Sequence, residues 1–211
     1  MINKKGNLIV ISAPSGAGKT SLVKALIETI PNLYVSISHT TRPKRPYEKD
    51  GADYHFVDRS QFLALVEDGK FLEYANVFEN YYGTSRDWVE SQLSEGKDII
   101  LEIDWQGAEQ VRKLIATAIT IFVLPPSYET LETRLCERGD ADEEVTVRMR
   151  EAKDELSHYR EYDFLVINDD FNTALQELNN IIRVMRHGYT QQSHFYDGFV
   201  GQMLDDAAKI K

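Results

Sequence analysis

The chemistry of this chain begins at Ser12-Ala13-Pro14-Ser15-Gly16-Ala17-Gly18-Lys19-Thr20-Ser21. The run follows an apolar, β-branched stretch and leads into a segment of helical periodicity, which is the setting a Walker A phosphate loop requires. Gly16 and Gly18 let backbone N–H groups curl around phosphate oxygens with no Cβ in the way. A helix opening near Lys19 turns its free amides and positive dipole end toward the same anion. Lys19 adds a point charge for the outer phosphates, and the Thr20 hydroxyl is a ligand for Mg²⁺. The general pattern opens on Gly where this chain has Ala13. On its own the loop says phosphate or nucleotide binding and no more.

A second cluster is Ser38-His39-Thr40-Thr41-Arg42-Pro43-Lys44-Arg45-Pro46. Arg42 and Arg45 are three apart in a proline-pinned loop, and guanidinium forks suit a two-point grip on phosphate. A solvated loop is the competing interpretation. Farther on come Tyr54, Glu73, Tyr82 and Thr84. Buried tyrosines need hydrogen-bond partners, and a phosphate oxygen is a suitable one. A carboxylate such as Glu73 accepts from both the N1–H and the 2-amino group of guanine, a donor pair adenine lacks. Packing in a small core accounts for the tyrosines equally well. The third cluster, Leu101-Glu102-Ile103-Asp104-Trp105-Gln106-Gly107, closes another apolar run. Carboxylates at the carboxyl end of a buried strand lie where α/β folds bind ligands. Strand alternation puts Glu102 and Asp104 on one side, facing either Mg²⁺ or an acceptor.

The runs Leu8–Ile11, Ile99–Leu101, Ile119–Val123 and Phe164–Ile167 are continuous and apolar, as strands covered on both faces are. Between them lie helical faces: Leu22, Ala25, Leu26 and Ile30; Val111, Leu114 and Ile115; Leu131 and Leu135; Leu175, Leu178, Ile181, Ile182 and Met185. The alternation predicts an α/β parallel sheet with helices on both faces. The expected division is a core over about 7–33, 97–137 and 160–187, an inserted α+β subdomain over about 34–90, and a charged lid over about 138–150. Within the insertion, strands are expected around Asp53–Val57 and Phe71–Val77 and a helix around Arg59–Asp68. A last helix is expected from Gly198.

The formal net charge is −10, which disfavours nucleic acid as a partner. No run approaches a membrane span, and no apolar segment near Met1 has signal-peptide length. The single cysteine, Cys136, cannot form an intrachain disulfide and reads as a small buried apolar residue. A soluble, cytoplasmic protein is expected.

Taken together, APSGAGKTSL, SHTTRPKRP, DYHF, FLEYANVFENYYGTS, LEIDWQGA, FVLPPS, RLCERG and SHYREYDFLVIND, in this order, resemble the guanylate kinase family from Leu8 to about Arg186. The resemblance implies phosphoryl transfer from ATP to GMP, and to dGMP by extension, with Mg²⁺ as cofactor. It implies that Ala13 through Thr20 wrap the ATP phosphates. Arg42, Arg45, Tyr54 and Tyr82 would hold the GMP phosphate, and Ser38, Glu73, Thr84 and Asp104 would recognise guanine. Lys19, Arg42 and the lid arginines Arg134, Arg138 and either Arg148 or Arg150 would serve the transfer. Asn168 and Asp169 would line the adenine side. Mg²⁺ would meet Thr20, with Glu102 or Asp104 acting through water. Tyr47 stands where the family often has Gly. Two rivals remain at this stage: a non-catalytic guanylate kinase-like scaffold, which ATP titration would expose, and a P-loop kinase for another phosphate acceptor.

Overall fold

The computed structural model describes residues 4–77, 79–137 and 142–209. In chain order the elements are β1 (Leu8–Ser12), α1 (Lys19–Thr29), β2 (Leu33–Val35), β3 (His39–Thr40), β4 (His55–Phe56), α2 (Arg59–Glu67), β5 (Phe71–Val77), β6 (Asn80–Ser85), α3 (Arg86–Ser94), β7 (Asp98–Glu102), α4 (Trp105–Leu114), β8 (Ile119–Leu124), α5 (Tyr128–Glu137), α6 (Asp142–Ser157), β9 (Phe164–Ile167), α7 (Phe171–Met185) and α8 (Tyr189–Ala208).

Five strands pair in the order β2-β7-β1-β8-β9, every pairing parallel. The continuous apolar runs follow from this arrangement. Ile9 and Ile11 of β1, Ile100 of β7 and Ile121 and Val123 of β8 face one layer with Leu22, Leu26, Leu131, Leu178 and Ile182. Leu8, Val10, Ile99, Leu101 and Phe122 face the other, against Val89, Ala108, Val111 and Tyr162. Both faces are thus covered, and each wholly buried aliphatic or aromatic side chain contributes roughly 1.5–3 kcal/mol.

The second sheet, β4-β3-β6-β5, belongs to the insertion and is mostly antiparallel. Phe62 of α2 fills its core, with ring centroids 4.6 Å from Phe71 and 5.4 Å from Tyr81. Asp58 caps α2 and forms a capping box with Gln61. The expected strand at Phe71–Val77 coincides with β5, while that around Asp53–Val57 shortens to β4.

Several expectations are corrected. Leu33–Val35 pairs with β7, so the parallel sheet reaches two residues past the expected end of the first core segment. β9 is not covered on both faces: Val166 is buried, but Leu165 and Ile167 are 46% and 55% exposed, because β9 is an edge strand paired only to β8. Leu114, the last residue of α4, is 55% exposed and does not share the buried face of Val111. Cys136 is exposed: it follows buried Leu135, and one helical step of about 100° carries it to the outer face. The final helix starts at Tyr189 rather than Gly198, with non-helical backbone at Gln192. Arg186 reaches Asp98 (Nε to Oδ2, 2.7 Å) and so ties α7 to β7. Among the described residues no helix is long and apolar enough to cross a membrane.

Phe62→Ala should lower unfolding free energy by about 3–5 kcal/mol in urea titration. Leu63→Ala, one step round the same helix at 40% exposure, should cost far less.

Candidate functional site

The loop between β1 and α1 is shaped by its glycines. Gly16 and Gly18 have φ of +90° and +89°, where a Cβ is strained. A Cβ on Gly18 would also lie 2.3 Å from Asn168 Nδ2. Ala13, Pro14 and Ala17 are buried, Ser15 and Gly16 are half-buried, and Ala17 N–H donates to Pro14 O at 3.0 Å. Helices α2, α3, α4 and α7 each carry a side-chain cap, from Asp58, Ser85, Asp104 and Asp170. α1 has none and no acidic residue in its first turn. Its opening amides are therefore available to an anion, as a phosphate site demands.

Lys19, half-buried, stands among carboxylates that burial has weakened as acids. Burial raises the Asp104 carboxyl above its ordinary range, against the pull of Gly107 N–H and Lys19. Burial pushes Glu155 of α6 up to about 7, with Lys19 opposing and Asp104 and Glu151 reinforcing; Ser15 N–H donates to it. Val145, Met149 and Ala152 anchor α6 in the same apolar cluster as Ala13 and Ala17. From that helix Arg148 Nη1 reaches Ser15 Oγ at 3.3 Å, while Arg150 is exposed. Arg134 of α5 donates through Nη2 to Asn168 O at 3.2 Å, and its buried Nη1 has no hydrogen-bond partner among the described residues. Arg138 lies outside the described residues.

Asn168, expected on the adenine side, contacts the phosphate loop directly. It is 4% exposed and donates through Nδ2 to Ala17 O at 2.7 Å, bracing the phosphate loop from β9. Asp169 is exposed. Strand alternation does not govern Glu102 and Asp104, because β7 ends at Glu102. Glu102 Oε2 accepts from Thr20 Oγ1 at 3.1 Å. Asp104 caps α4, accepting from Gly107 N–H at 3.0 Å and Gln106 Nε2 at 3.1 Å. Thr20 and Glu102 offer hard oxygen donors beside the phosphate loop, which fits a magnesium ion shared with nucleotide phosphates.

Across from this loop the insertion assembles a polar chain. Glu73, 3% exposed on β5, accepts from Thr84 Oγ1 of β6 at 2.5 Å. Thr84 Oγ1 in turn lies 3.5 Å from Ser38 Oγ. Cross-strand pairing of Glu73 with Thr84 places the two side by side. Burial pushes the Glu73 carboxyl up to about 7, Asp104 adding to the shift and Thr84 opposing it. Gly107 permits this approach: a Cβ there would meet Glu73 Oε2 at 2.5 Å.

The arginine loop lies on the same subdomain. The Arg42 guanidinium sits 5.5 Å from the Tyr54 ring centroid, and Tyr54 and Tyr82 are edge-to-face at 5.9 Å. Burial pushes the Tyr54 phenol up to about 12, so it stays a hydrogen-bond donor at neutral pH. Arg45 Nη1 donates to Tyr47 Oη at 3.3 Å at the exposed rim, where Tyr47 takes the place of a glycine without entering the core.

Two residues outside the motif reading belong to this site. Glu48, 8% exposed, takes both Nη atoms of Arg42. An acidic residue three past Arg45 was its only signal. Glu155 lies seven residues beyond Arg148, and so two turns along the same side of α6.

A family model described as guanylate kinase matches residues 5–185. A guanylate kinase of Hahella chejuensis is 58% identical over 95% of this chain and 97% of its own length. One of Saccharophagus degradans is 54% identical over 94% and 98%. The crystal structure of guanylate kinase from Anaplasma phagocytophilum superimposes with a TM-score of 0.77 at 35% identity, covering 91% of this chain and 92% of that one.

The raised carboxyls have a consequence for stability. Folded Glu73 keeps its proton up to about pH 7, whereas the unfolded carboxyl loses it near 4.5. Stability therefore falls as pH rises across that interval and levels off above it. Glu155 adds a slope of the same sign. Glu73→Gln should remove its share and gain up to about 3 kcal/mol over wild type at about pH 8. Urea unfolding from about pH 5 to about pH 8 checks this; an unchanged slope would mean that folded Glu73 titrates as an ordinary carboxylate.

Proposed function

The chain belongs to the guanylate kinase family and catalyses ATP-dependent phosphorylation of GMP to GDP, and we propose that the residues grouped above divide this work between two facing anion sites. The observation that carries the reading is the position of Asp104. It is close enough to interact electrostatically both with Lys19 in the phosphate loop and with Glu73 in the insertion. One carboxylate shared in this way brings a nucleotide triphosphate site and a base-reading site within reach of one another.

On the donor side, the loop Ala13–Thr20, through its N–H groups not already bonded within the protein, and the uncapped start of α1 cradle the ATP phosphates. Lys19, Arg134 and Arg148 neutralise charge that spreads over the equatorial oxygens as the γ-phosphoryl moves. Arg138 is placed with them by the family resemblance alone. Asn168 serves ATP at one remove, through Ala17. Thr20 would hold Mg²⁺, with Glu102 as its neighbour acting through water, and a magnesium ion held there would supply charge neutralisation to the nucleotide phosphates.

On the acceptor side, Glu73 accepts from guanine N1–H and the 2-amino group, the Thr84 and Ser38 hydroxyls meet the base edge, and Asp104 completes the set. Arg42, Arg45 and the Tyr54 and Tyr82 hydroxyls hold the GMP phosphate. The GMP phosphate oxygen is anionic near neutral pH, so in-line attack on the γ-phosphorus needs no protein base. Arg42 and Arg45 offset the repulsion between the two substrates. Packing of α6 over the phosphate loop excludes water and so suppresses hydrolysis. dGMP fits the same reading, because no group assigned here depends on the ribose 2′-hydroxyl. Small nucleotide substrates, a single cysteine and a net charge of −10 support a cytoplasmic enzyme with no nucleic-acid or membrane partner.

Lys19→Ala should lower kcat on the order of 10²-fold or more in a coupled assay of ADP release. Near-normal turnover would remove Lys19 from the transfer. In the same assay GMP should be the preferred acceptor over AMP, CMP and UMP, and Glu73→Gln should raise the GMP KM far more than the ATP KM. An equal rise for both nucleotides would contradict base reading by Glu73.

A further inference from the structure

Arg42 must present a guanidinium edge to a phosphate, yet much of its hydrogen-bonding capacity is already committed. Nη2 donates to Glu48 Oε1 at 2.6 Å and Nη1 to Glu48 Oε2 at 3.1 Å. Nη1 also donates to Pro43 O at 2.8 Å. Both Nη1 protons and one Nη2 proton are thereby spent. What remains is the edge formed by Nε–H and the second Nη2 proton, which has the two-point geometry of a phosphate grip; besides Glu48, the guanidinium interacts with Tyr82, itself assigned to the GMP phosphate.

Glu48 is fixed just as firmly. It is 8% exposed, and its Oε2 also accepts from Arg45 N–H at 2.8 Å, while Glu48 N–H donates to Arg45 O at 3.1 Å. The same carboxylate therefore closes the turn that carries Arg45. The Tyr54 and Phe56 rings lie 5.5 and 5.9 Å from the Arg42 carbon, so the guanidinium is bounded on its faces as well. The Arg42 pair holds the Glu48 carboxyl below its ordinary range, so it is ionised at neutral pH.

We propose that Glu48 is a positioning residue for the acceptor phosphate: it occupies the terminal fork of Arg42, turns the Nε–Nη2 edge toward the GMP phosphate and fixes the Arg45 turn beside it. The inference rests on the reading of Arg42 as a GMP-phosphate ligand. Glu48 acts through the two arginines and touches neither substrate. Its negative charge alone would weaken binding of an anion, so an orienting role predicts that neutralising it harms GMP binding, whereas a simple charge effect predicts the reverse.

The test is steady-state kinetics on Glu48→Gln, Arg42→Lys and the double variant, with thermal melts of each. Glu48→Gln should raise the GMP KM on the order of 10–100-fold, the scale of one charged hydrogen-bond pair. The ATP KM and the kcat at saturating GMP should change far less. Arg42→Lys should raise the GMP KM as well, and the double variant should have a GMP KM close to that of Arg42→Lys alone, well below the product of the two single effects, because lysine has no fork to orient. Glu48→Asp should fall between wild type and Glu48→Gln. If Arg42→Lys raises the GMP KM and Glu48→Gln leaves or lowers it, the inference is overturned while the phosphate-site reading stands. If Arg42→Lys itself leaves the GMP KM unchanged, the phosphate-site reading has failed. A Glu48→Gln protein that melts early and loses both nucleotides alike overturns the inference too, since Glu48 would then be holding the fold.

Discussion

The proposed acceptor half of this enzyme is organised around a buried carboxylate that no cation among the described residues pairs with. Glu73 is 3% exposed, and its hydrogen bond comes from a neutral hydroxyl, Thr84. Burying an ionised carboxylate in that setting is costly, and the cost shows as a pKa raised to about 7. In the proposed reading, two matched donors from guanine would repay that cost, and the strain of the empty site would become selectivity in the filled one. Much of the surrounding architecture serves this placement. The β5–β6 pairing sets Thr84 beside it, Gly107 leaves room for it, and α4 begins with Asp104 close enough to oppose its ionisation.

The donor half solves the complementary problem of gathering positive potential in a chain whose net charge is −10. It does so with local devices. An uncapped helix start supplies amides, Lys19 supplies charge, and two helices packed over the loop bring Arg134 and Arg148. Glu155 and Asp104 lie near enough to Lys19 for its charge to oppose the rise that burial causes in their pKa values. The apolar stripe Val145, Met149 and Ala152 makes this arrangement a packing problem as much as an electrostatic one.

Most of this was legible wherever one residue type performs one task by local geometry. The phosphate loop reads directly because φ near +90° at Gly16 and Gly18 demands glycine. The central strands read directly because both faces are buried, and β1, β7 and β8 follow the apolar runs closely. Legibility ends where the outcome depends on sheet order or on distant partners. An apolar run cannot announce that it will be an edge, so β9 was expected to be covered. Cys136 is typical of a buried residue, yet it lies one helical step off the buried face. Asn168 is adjacent to the loop only in three dimensions, as its bond to Ala17 spans 151 residues. Glu48 and Glu155 carry no motif of their own; each is defined by the arginine or lysine it faces.

The central claim is that guanine binds the ionised form of a carboxylate that is largely protonated just below neutrality when the site is empty. Calorimetric titration with guanosine isolates it, because guanosine has no phosphate to titrate. Performed slightly below neutral pH in two buffers of different ionisation enthalpy, it measures protons released per ligand bound. The account predicts net proton release on binding by the wild-type protein and none by Glu73→Gln. Guanosine binding with no proton exchange in the wild type, or with the same release in both proteins, would contradict it.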